Sequence, residues 1–289
     1  MTLRDTQQLV NVAGVDWDAA WRAYDATRDA PGDEAHWDRR SVTYGDMRMG
    51  PYEQEFLDRA GIEPGSTVLD FGCGIGLLTV PLAQRGCRVV ACDFSRGMLD
   101  RLRAHVEAAG VSHLVELHKL AWDDDWGAAG IGPGFCDYAI ASRSLATPHM
   151  AASLAKLDEV ARRRAFTTVA ASQSPRRDER VFAAVGRERP WSADYIYCLN
   201  ILLQHGAFPE LSYIVTHSRP AFADRDEALA GLTAAVGGGL TERERAALEA
   251  FVDAHYAENP QAKPGRTFEA DVDREVRWAF IAWDTRADG

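Results

Sequence analysis

The tightest constraint on this chain is a run of nine residues, Val68-Leu69-Asp70-Phe71-Gly72-Cys73-Gly74-Ile75-Gly76, in which an apolar stretch breaks into alternating glycines. A short apolar run bounded by turn residues reads as a buried strand. Glycines at this density let the backbone turn sharply and come close to a ligand. Leu77 to Arg85 reads as a helix stopped by Gly86, so unpaired N–H groups and positive potential lie at the bend. A second apolar run, Val89 to Cys92, ends in Asp93, 21 residues after Gly72. An acidic residue about 20 residues on, ending the neighbouring strand, can accept from both hydroxyls of a ribose. The two segments predict a nucleoside-binding crevice above adjacent parallel strands, with Asp93 facing the crevice and outside the core.

The remaining pattern agrees. Ser95 caps a helix with Met98, Leu99, Leu102, Val106 and Ala109 on one face, ended by Gly110. Further strands are expected over 113–120, 136–141 and 165–171, with a helix over 153–162. Strands alternating with helices predict an α/β fold with a doubly wound parallel sheet and right-handed crossovers. The second half predicts a buried helix over 194–205 and strands over 211–217 and 277–283, the last carrying Trp278 and Trp283 into the core. Between those strands, 224–236 and 241–256 read as helices separated by Gly237-Gly238-Gly239, and Thr241 with Glu244 forms a capping box. Segment 257–270 reads as loop. At the other end, Asp16 caps a helix carrying Trp17, Trp21 and Tyr24, and Pro51 to Ala60 forms a helix stopped by Gly61. The expected organisation is a helical arm or lid over 1–60 and one domain over 61–289, with a helical insertion at 222–270.

A dinucleotide fold wants Gly-x-Gly-x-x-Gly; this chain has Gly-x-Gly-x-Gly, with Asp70 two residues ahead. A carboxylate aimed at the bend repels a pyrophosphate and suits a cationic amino group. Asp70, Gly72, Gly74, Gly76 and Asp93 match both glycine-bend and strand-two motifs, and over 62–172 the chain resembles the class I S-adenosylmethionine-dependent methyltransferases. That resemblance implies a Rossmann-like, mostly parallel seven-stranded sheet with an antiparallel last strand, and S-adenosylmethionine as cofactor with S-adenosylhomocysteine as product. It implies a cofactor site built from Asp70, Gly72, Cys73, Gly74, Gly76, Asp93, Phe94, Ser95, Met98, Trp122, Asp123 and Ser142. Asp123 is the adenine candidate within Trp122-Asp123-Asp124-Asp125-Trp126, and the alternative is a solvated acidic loop with Trp122 as packing.

The loop after strand four, Ser142 to His149, is the one that faces the transferable methyl in this family. Arg143 is a candidate for holding an acidic substrate, or else pairs with a sheet-edge carboxylate. His149 is a candidate base, or else a first-turn helix residue behind Thr147-Pro148. Trp37, Tyr44 and Tyr52 are candidates for a lid, Tyr44 also as a catalytic group, whereas Trp17 and Trp21 read as staples. The Asn/Asp-Pro-Pro-Tyr/Phe run of enzymes acting on base amines is absent.

The net charge of −11 opposes binding to a phosphate backbone, and Arg162-Arg163-Arg164 and Arg176-Arg177 are the basic clusters that bear on it. Five cysteines without a Cys-x-x-Cys pair, and no His-Glu-x-x-His, predict neither disulfides nor a metal. The absence of an 18-residue apolar run and of a signal-like N-terminus predicts a cytoplasmic protein without a membrane segment. The expected function is methyl transfer to a small-molecule acceptor by in-line displacement. An RNA or protein methyltransferase of the same fold, or a non-catalytic S-adenosylmethionine-binding regulator, stays open beside it, while a nicotinamide dehydrogenase is disfavoured by the glycine spacing.

Overall fold

Local signals set the elements in order along the chain. The structure is a computed structural model that describes residues 14–28, 32–43, 48–145, 147–171, 178–188, 194–262 and 265–285. Asp16 accepts from Ala19 N at 2.8 Å and starts α1 (Trp17–Asp25). Next come α2 (Glu34–Thr43) and α3 (Pro51–Ala60), which has proline in its first turn and Gly61 at φ +57° as its stop. The strands and helices β1 (Thr67–Phe71), α4 (Thr79–Gln84), β2 (Arg88–Asp93) and α5 (Arg96–Ala108) then alternate through short bends. They lead to β3 (Val115–Lys119), β4 (Cys136–Ser142), α6 (Met150–Val160) and β5 (Ala161–Ala170). Beyond lie α7 (Glu179–Val185), α8 (Asp194–Gln204), β6 (Glu210–Ser218), β7 (Ala221–Phe222), α9 (Arg225–Ala235) and α10 (Glu242–His255). The chain closes with β8 (Tyr256–Glu258), β9 (Phe268–Ala270) and β10 (Arg274–Asp284).

Seven strands form one sheet in the order β3-β2-β1-β4-β5-β10-β6. β2 and β4 flank β1 in parallel, β3 runs parallel to β2, and β5 parallel to β4. β10 runs the other way. Ala171 N donates to Arg277 O and Thr285 N to Arg163 O, so one strand advances as the other recedes. This is the α/β, Rossmann-like, mostly parallel sheet with an antiparallel last strand expected from the sequence. The central strand β1 is buried from Val68 to Phe71, as a strand covered on both faces must be. Among the described residues no helix is long and apolar enough to cross a membrane.

The chain divides into two compact units, one of Met1–Val169, Asp194–Ser212 and Ala279–Gly289, the other of Ala170–Ala193 and Tyr213–Trp278. The first buries Leu69, Phe71, Leu102, Ile140 and Phe166 around the parallel strands, and Phe56 of α3 meets Phe280 edge-on with centroids 5.2 Å apart. The second packs α7, α9, α10 and a small sheet, β7-β9-β8, around its own cluster of Phe182, Leu232, Leu248, Val252 and Tyr256.

Several local expectations need correction. α2 and α7 were not anticipated, and the 257–270 segment, expected as loop, contains the end of β8 and all of β9, since three-residue strands carry little periodicity. Helix α6 starts at Met150 and yields directly to β5 at Ala161, so Arg162, Arg163 and Arg164 open the strand. Their guanidinium groups find Asp137, Glu63 and Glu210 at 2.8, 2.6 and 2.7 Å. Trp283 is fully buried and donates to Asp158 Oδ1, but Trp278, five positions away and so on the opposite face of the strand, is half-buried.

Gly76 illustrates how the bend is packed. At φ +92°, an added Cβ would sit 2.2 Å from Leu102 Cδ1, a side chain with no exposure. Gly76→Ala is expected to cost on the order of 1–3 kcal/mol by overpacking, and Leu102→Ala about 2–5 kcal/mol by leaving a cavity. The double variant should lose less than the sum, because the second change clears the methyl that the first inserts. Urea midpoints of the four proteins check this.

Candidate functional site

The C-terminal ends of β1, β2 and β4 surround a cavity of about 340 Å³. Gly72 (φ +74°) and Gly74 (φ +55°) turn the chain out of β1 in a conformation that disfavours side chains. At Gly72 there is also no room, since a Cβ would lie 2.2 Å from Ser144 Cβ. Ser144 Oγ donates to Phe71 O at 2.7 Å, locking the loop after β4 against the end of β1.

Asp70 is 2% exposed, and its Oδ2 accepts from Thr79 Oγ of α4 at 2.6 Å. Burial pushes its carboxyl up to about 7, opposed by the Thr79 hydroxyl and reinforced by Asp93. Asp93, the last residue of β2, lines the same cavity, but it is buried. The expectation that it lies outside the core is therefore corrected. Its Oδ1 accepts from Ser95 N and its Oδ2 from Gly74 N, each at 2.9 Å. Burial raises its pKa, the two amides lower it, and the Asp38 charge raises it.

Asp38 is the residue that the sequence reading missed. From α2 its Oδ1 accepts from Ser95 Oγ at 2.6 Å and from Gly97 N at 2.8 Å, capping the start of α5 from another helix. The Ser95 and Gly97 bonds hold the Asp38 carboxyl below its ordinary value. Gly97 permits the approach, since a Cβ there would fall 2.7 Å from Ser41 Oγ. Glu34 of α2 pairs with Lys119 at 2.8 Å, and Trp37 lines the cavity. A signal for α2 was present: Asp33 accepts from His36 N at 2.8 Å, an N-cap ahead of Glu34.

Beyond β3, an aromatic stack shapes the wall. Phe71 lies 4.3 Å from Trp126 and 4.2 Å from Trp122 between ring centroids, and Trp122 Nε1 donates to Ser144 O. Asp124 accepts from Ala121 N and Asp125 from Ala128 N, so both serve the loop's own turns, while Asp123 lines the cavity. Lys156 of α6 ties the loop down, donating to Trp122 O at 2.6 Å and Asp124 O at 2.9 Å.

Ser142, Arg143, Ser144, Thr147 and Pro148 line the end after β4. Arg143 sits at φ +57°, the only non-glycine residue with positive φ among the described residues. Its Nη2 donates to Glu53 Oε1 of α3 at 3.0 Å, rather than to a sheet-edge carboxylate, and its guanidinium stacks 4.0 Å over the Tyr52 ring. Burial pushes the Tyr52 hydroxyl up, so it stays protonated. Trp21, fully buried, donates to Thr147 O and staples α1 to this loop.

The structure thus brings Asp70, Gly72, Cys73, Gly74, Asp93, Phe94, Met98, Trp122, Asp123, Ser142 and Arg143 around one cavity. Gly76 and Ser95 do not line it: Gly76 packs against Leu102, and Ser95 caps α5 and bonds Asp38. His149 does not line it either; it precedes α6, with its N donating to Thr147 Oγ. Tyr44 lies outside the described residues. Among the described residues no group of three or more His, Cys, Asp or Glu is arranged to hold a metal ion.

The family described as a methyltransferase domain matches residues 68–164. An uncharacterized protein of Haemophilus influenzae is 34% identical over 251 residues, spanning 86% of this chain and 88% of that one. A ubiquinone biosynthesis O-methyltransferase of Hahella chejuensis is 38% identical over 82 residues, 28% of this chain and 34% of that enzyme. A tRNA 5-carboxymethoxyuridine methyltransferase of Escherichia coli K12 is 38% identical over 86 residues, 29% of this chain, which spans only 33% of its length. Among solved structures, a protein of Bacillus halodurans C-125 described as a methyltransferase superposes with TM-score 0.52 at 14% identity, over 81% of this chain and 99% of that one, which is a likeness of fold.

Lys156→Met keeps the packing of the stem while removing both loop bonds. The loss is expected to be on the order of 1.5–3 kcal/mol of local stabilisation, the scale of bonds to a charged donor. Faster hydrogen exchange across 121–126, with the β1 and β4 amides unchanged, is the expected result.

Proposed function

The chain belongs to the class I S-adenosylmethionine-dependent methyltransferases, and we propose that its methyl acceptor is a small molecule taken into the cavity after β4. S-adenosylmethionine supplies a methyl group on a cationic sulfur that departs as a neutral thioether. The chain's residues suit that cofactor. Asp70 is a buried carboxyl that no cation contacts among the described residues, and the α-ammonium of a methionine moiety would supply one. Asp93 has a lone pair left on each oxygen for a ribose hydroxyl. The Gly72 and Gly74 backbone admits close approach, and Trp122 and Asp123 offer a face and an acceptor to adenine. What remains for these residues is to orient and dehydrate the reactants; orientation alone can be worth about 7–11 kcal/mol.

The observation that carries the small-molecule reading is the disposition of positive charge. A nucleic-acid substrate needs a basic surface to meet its phosphates. Here each arginine of the Arg162–Arg164 cluster is paired with a carboxylate, and Arg143 is the single Lys, Arg or His among the described residues lining the cavity. Arg176 and Arg177 lie outside the described residues. A volume of about 340 Å³ falls within the ~300–1,000 Å³ range of small-ligand sites. We read α2, docked through Asp38 and carrying Trp37, as the cover over the ribose end. Transfer of a tritiated methyl group from the cofactor into the low-mass fraction of a bacterial extract tests the reading. Label that instead stays with RNA or protein would overturn it.

Asp70 predicts a pH signature. Free of cofactor, its carboxyl titrates at about 7; facing an ammonium it must be ionised. Binding below pH 7 therefore requires loss of a proton, and affinity for S-adenosylhomocysteine should fall by up to about tenfold per pH unit. At pH 7 binding should release about half a proton, visible as different binding heats in phosphate and Tris buffers. Asp70→Asn should bind more weakly and lose both the slope and the release.

A further inference from the structure

Among the described residues that line it, the β4 end of the cavity presents proton donors and no carboxylate or imidazole. Thr168 is fully buried, and its Oγ accepts from Arg143 N at 3.0 Å and lies 2.6 Å from Tyr52 Oη. Tyr52 Oη lies 2.7 Å from Ser142 Oγ. A buried hydroxyl needs an acceptor for its one proton, and Tyr52 Oη is the acceptor within reach of Thr168. With Thr168 as donor, the chain runs from Arg143 N–H to Thr168, Thr168 O–H to Tyr52, and Tyr52 O–H to Ser142. Ser142, which lines the cavity, keeps its own proton for a ligand.

Arg143 stands beside it as the one cation lining the cavity among the described residues. Glu53 holds the guanidinium and is itself fixed, since Glu53 Oε2 accepts from Gly50 N at 3.0 Å. About 30% of the Arg143 side chain stays accessible. The positive φ at this residue is an unfavourable conformation that is kept where the surroundings demand it. The carboxylates lining the cavity are Asp70, Asp93 and Asp123, at the bend after β1, the end of β2 and the loop after β3. Among the described residues none stands at the β4 end to take a proton.

Amines, alcohols, phenols and thiols are mostly protonated at neutral pH, whereas a carboxylate is not. We infer that the acceptor is a carboxylate-bearing small molecule, bound by the Ser142 hydroxyl and the Arg143 guanidinium, and that a carboxylate oxygen receives the methyl group. This rests on the small-molecule reading above. In the step, an oxygen lone pair forms the new O–CH3 bond as the S–CH3 bond breaks, and that bonding pair stays on sulfur. The carboxylate and sulfonium charges cancel, and no proton is released. The neutral ester loses its charge-assisted bond to Arg143, which favours product release.

Thermal shifts of the protein saturated with S-adenosylhomocysteine, titrated with acetate, benzoate and phenylacetate against benzamide, benzyl alcohol and benzylamine, test the inference. The carboxylates should stabilise and their neutral and cationic counterparts should not. Arg143→Gln should weaken benzoate by roughly tenfold or more while still binding S-adenosylhomocysteine. Arg143→Lys should recover part of the loss, and Ser142→Ala should weaken benzoate by about three- to tenfold. With tritiated S-adenosylmethionine, label on the acid should be released as volatile methanol by mild base. A shift with S-adenosylhomocysteine but none with any carboxylate overturns the inference, as does an equal shift with benzylamine, benzoate binding untouched by Arg143→Gln, or base-stable label. No shift with S-adenosylhomocysteine itself overturns the cofactor assignment instead.

Discussion

The bridge from the Asp93 carboxylate to Gly74 N and Ser95 N is the interaction on which the site depends. One side chain ties the bend after β1 to the start of α5. A buried carboxylate without partners would cost several kcal/mol or would hold its proton; two backbone donors offset that cost while leaving lone pairs directed to the cavity. The same junction attracts Asp38, which caps α5 through Ser95 Oγ and Gly97 N. The position of α2, and with it Trp37, thus follows from hydrogen-bond donors exposed at a helix N-terminus.

The second buried carboxylate is treated differently. Asp70 has one hydroxyl partner against the two backbone amides of Asp93, and its carboxyl is displaced to about 7. Burial, reinforced by the neighbouring Asp93, raises the Asp70 carboxyl, which suits it to meet a cation. Asymmetry between two neighbouring carboxyls is a common physical mark of a division of labour. Here Asp93 suits neutral hydroxyls and Asp70 an ammonium.

The fold was legible because its signals are local and repeated. Gly72, Gly74 and Asp93 report a bend and a strand end through spacing alone, and capped amphipathic helices report themselves. The cavity-lining residues Asp70, Asp93, Trp122 and Asp123 come together because a parallel sheet gathers the ends of its strands. What escaped the reading depends on partners distant in sequence. Asp38 meets Ser95 and Gly97 across 57 and 59 positions, and Tyr52 meets Thr168 across 116. No periodicity encodes those pairs. Burial of Asp93 escaped for a related reason, since α2, whose Asp38 reaches the same junction, had not been recognised. Gly76 shows the converse: its place in a glycine motif suggests a ligand, while its neighbour Leu102 shows a packing role.

Polarity runs along the cavity in one direction. Asp70, Asp93 and Asp123 line the β1, β2 and β3 ends. Arg143 and Ser142 line the β4 end, with the Tyr52 and Thr168 hydroxyls behind Ser142. In the proposed reaction a sulfonium and an oxyanion attract each other, so the two reactants would be drawn together before the chemistry and would lose that attraction after it, when both charges have vanished. The strain at Arg143 fits the same logic. At φ +57° its backbone N–H donates to Thr168 Oγ while its guanidinium lies over the Tyr52 ring. Main chain and side chain of one residue thus engage the bonded pair Thr168 and Tyr52, and such joint contacts are how a packed protein maintains a backbone conformation that an isolated arginine would abandon.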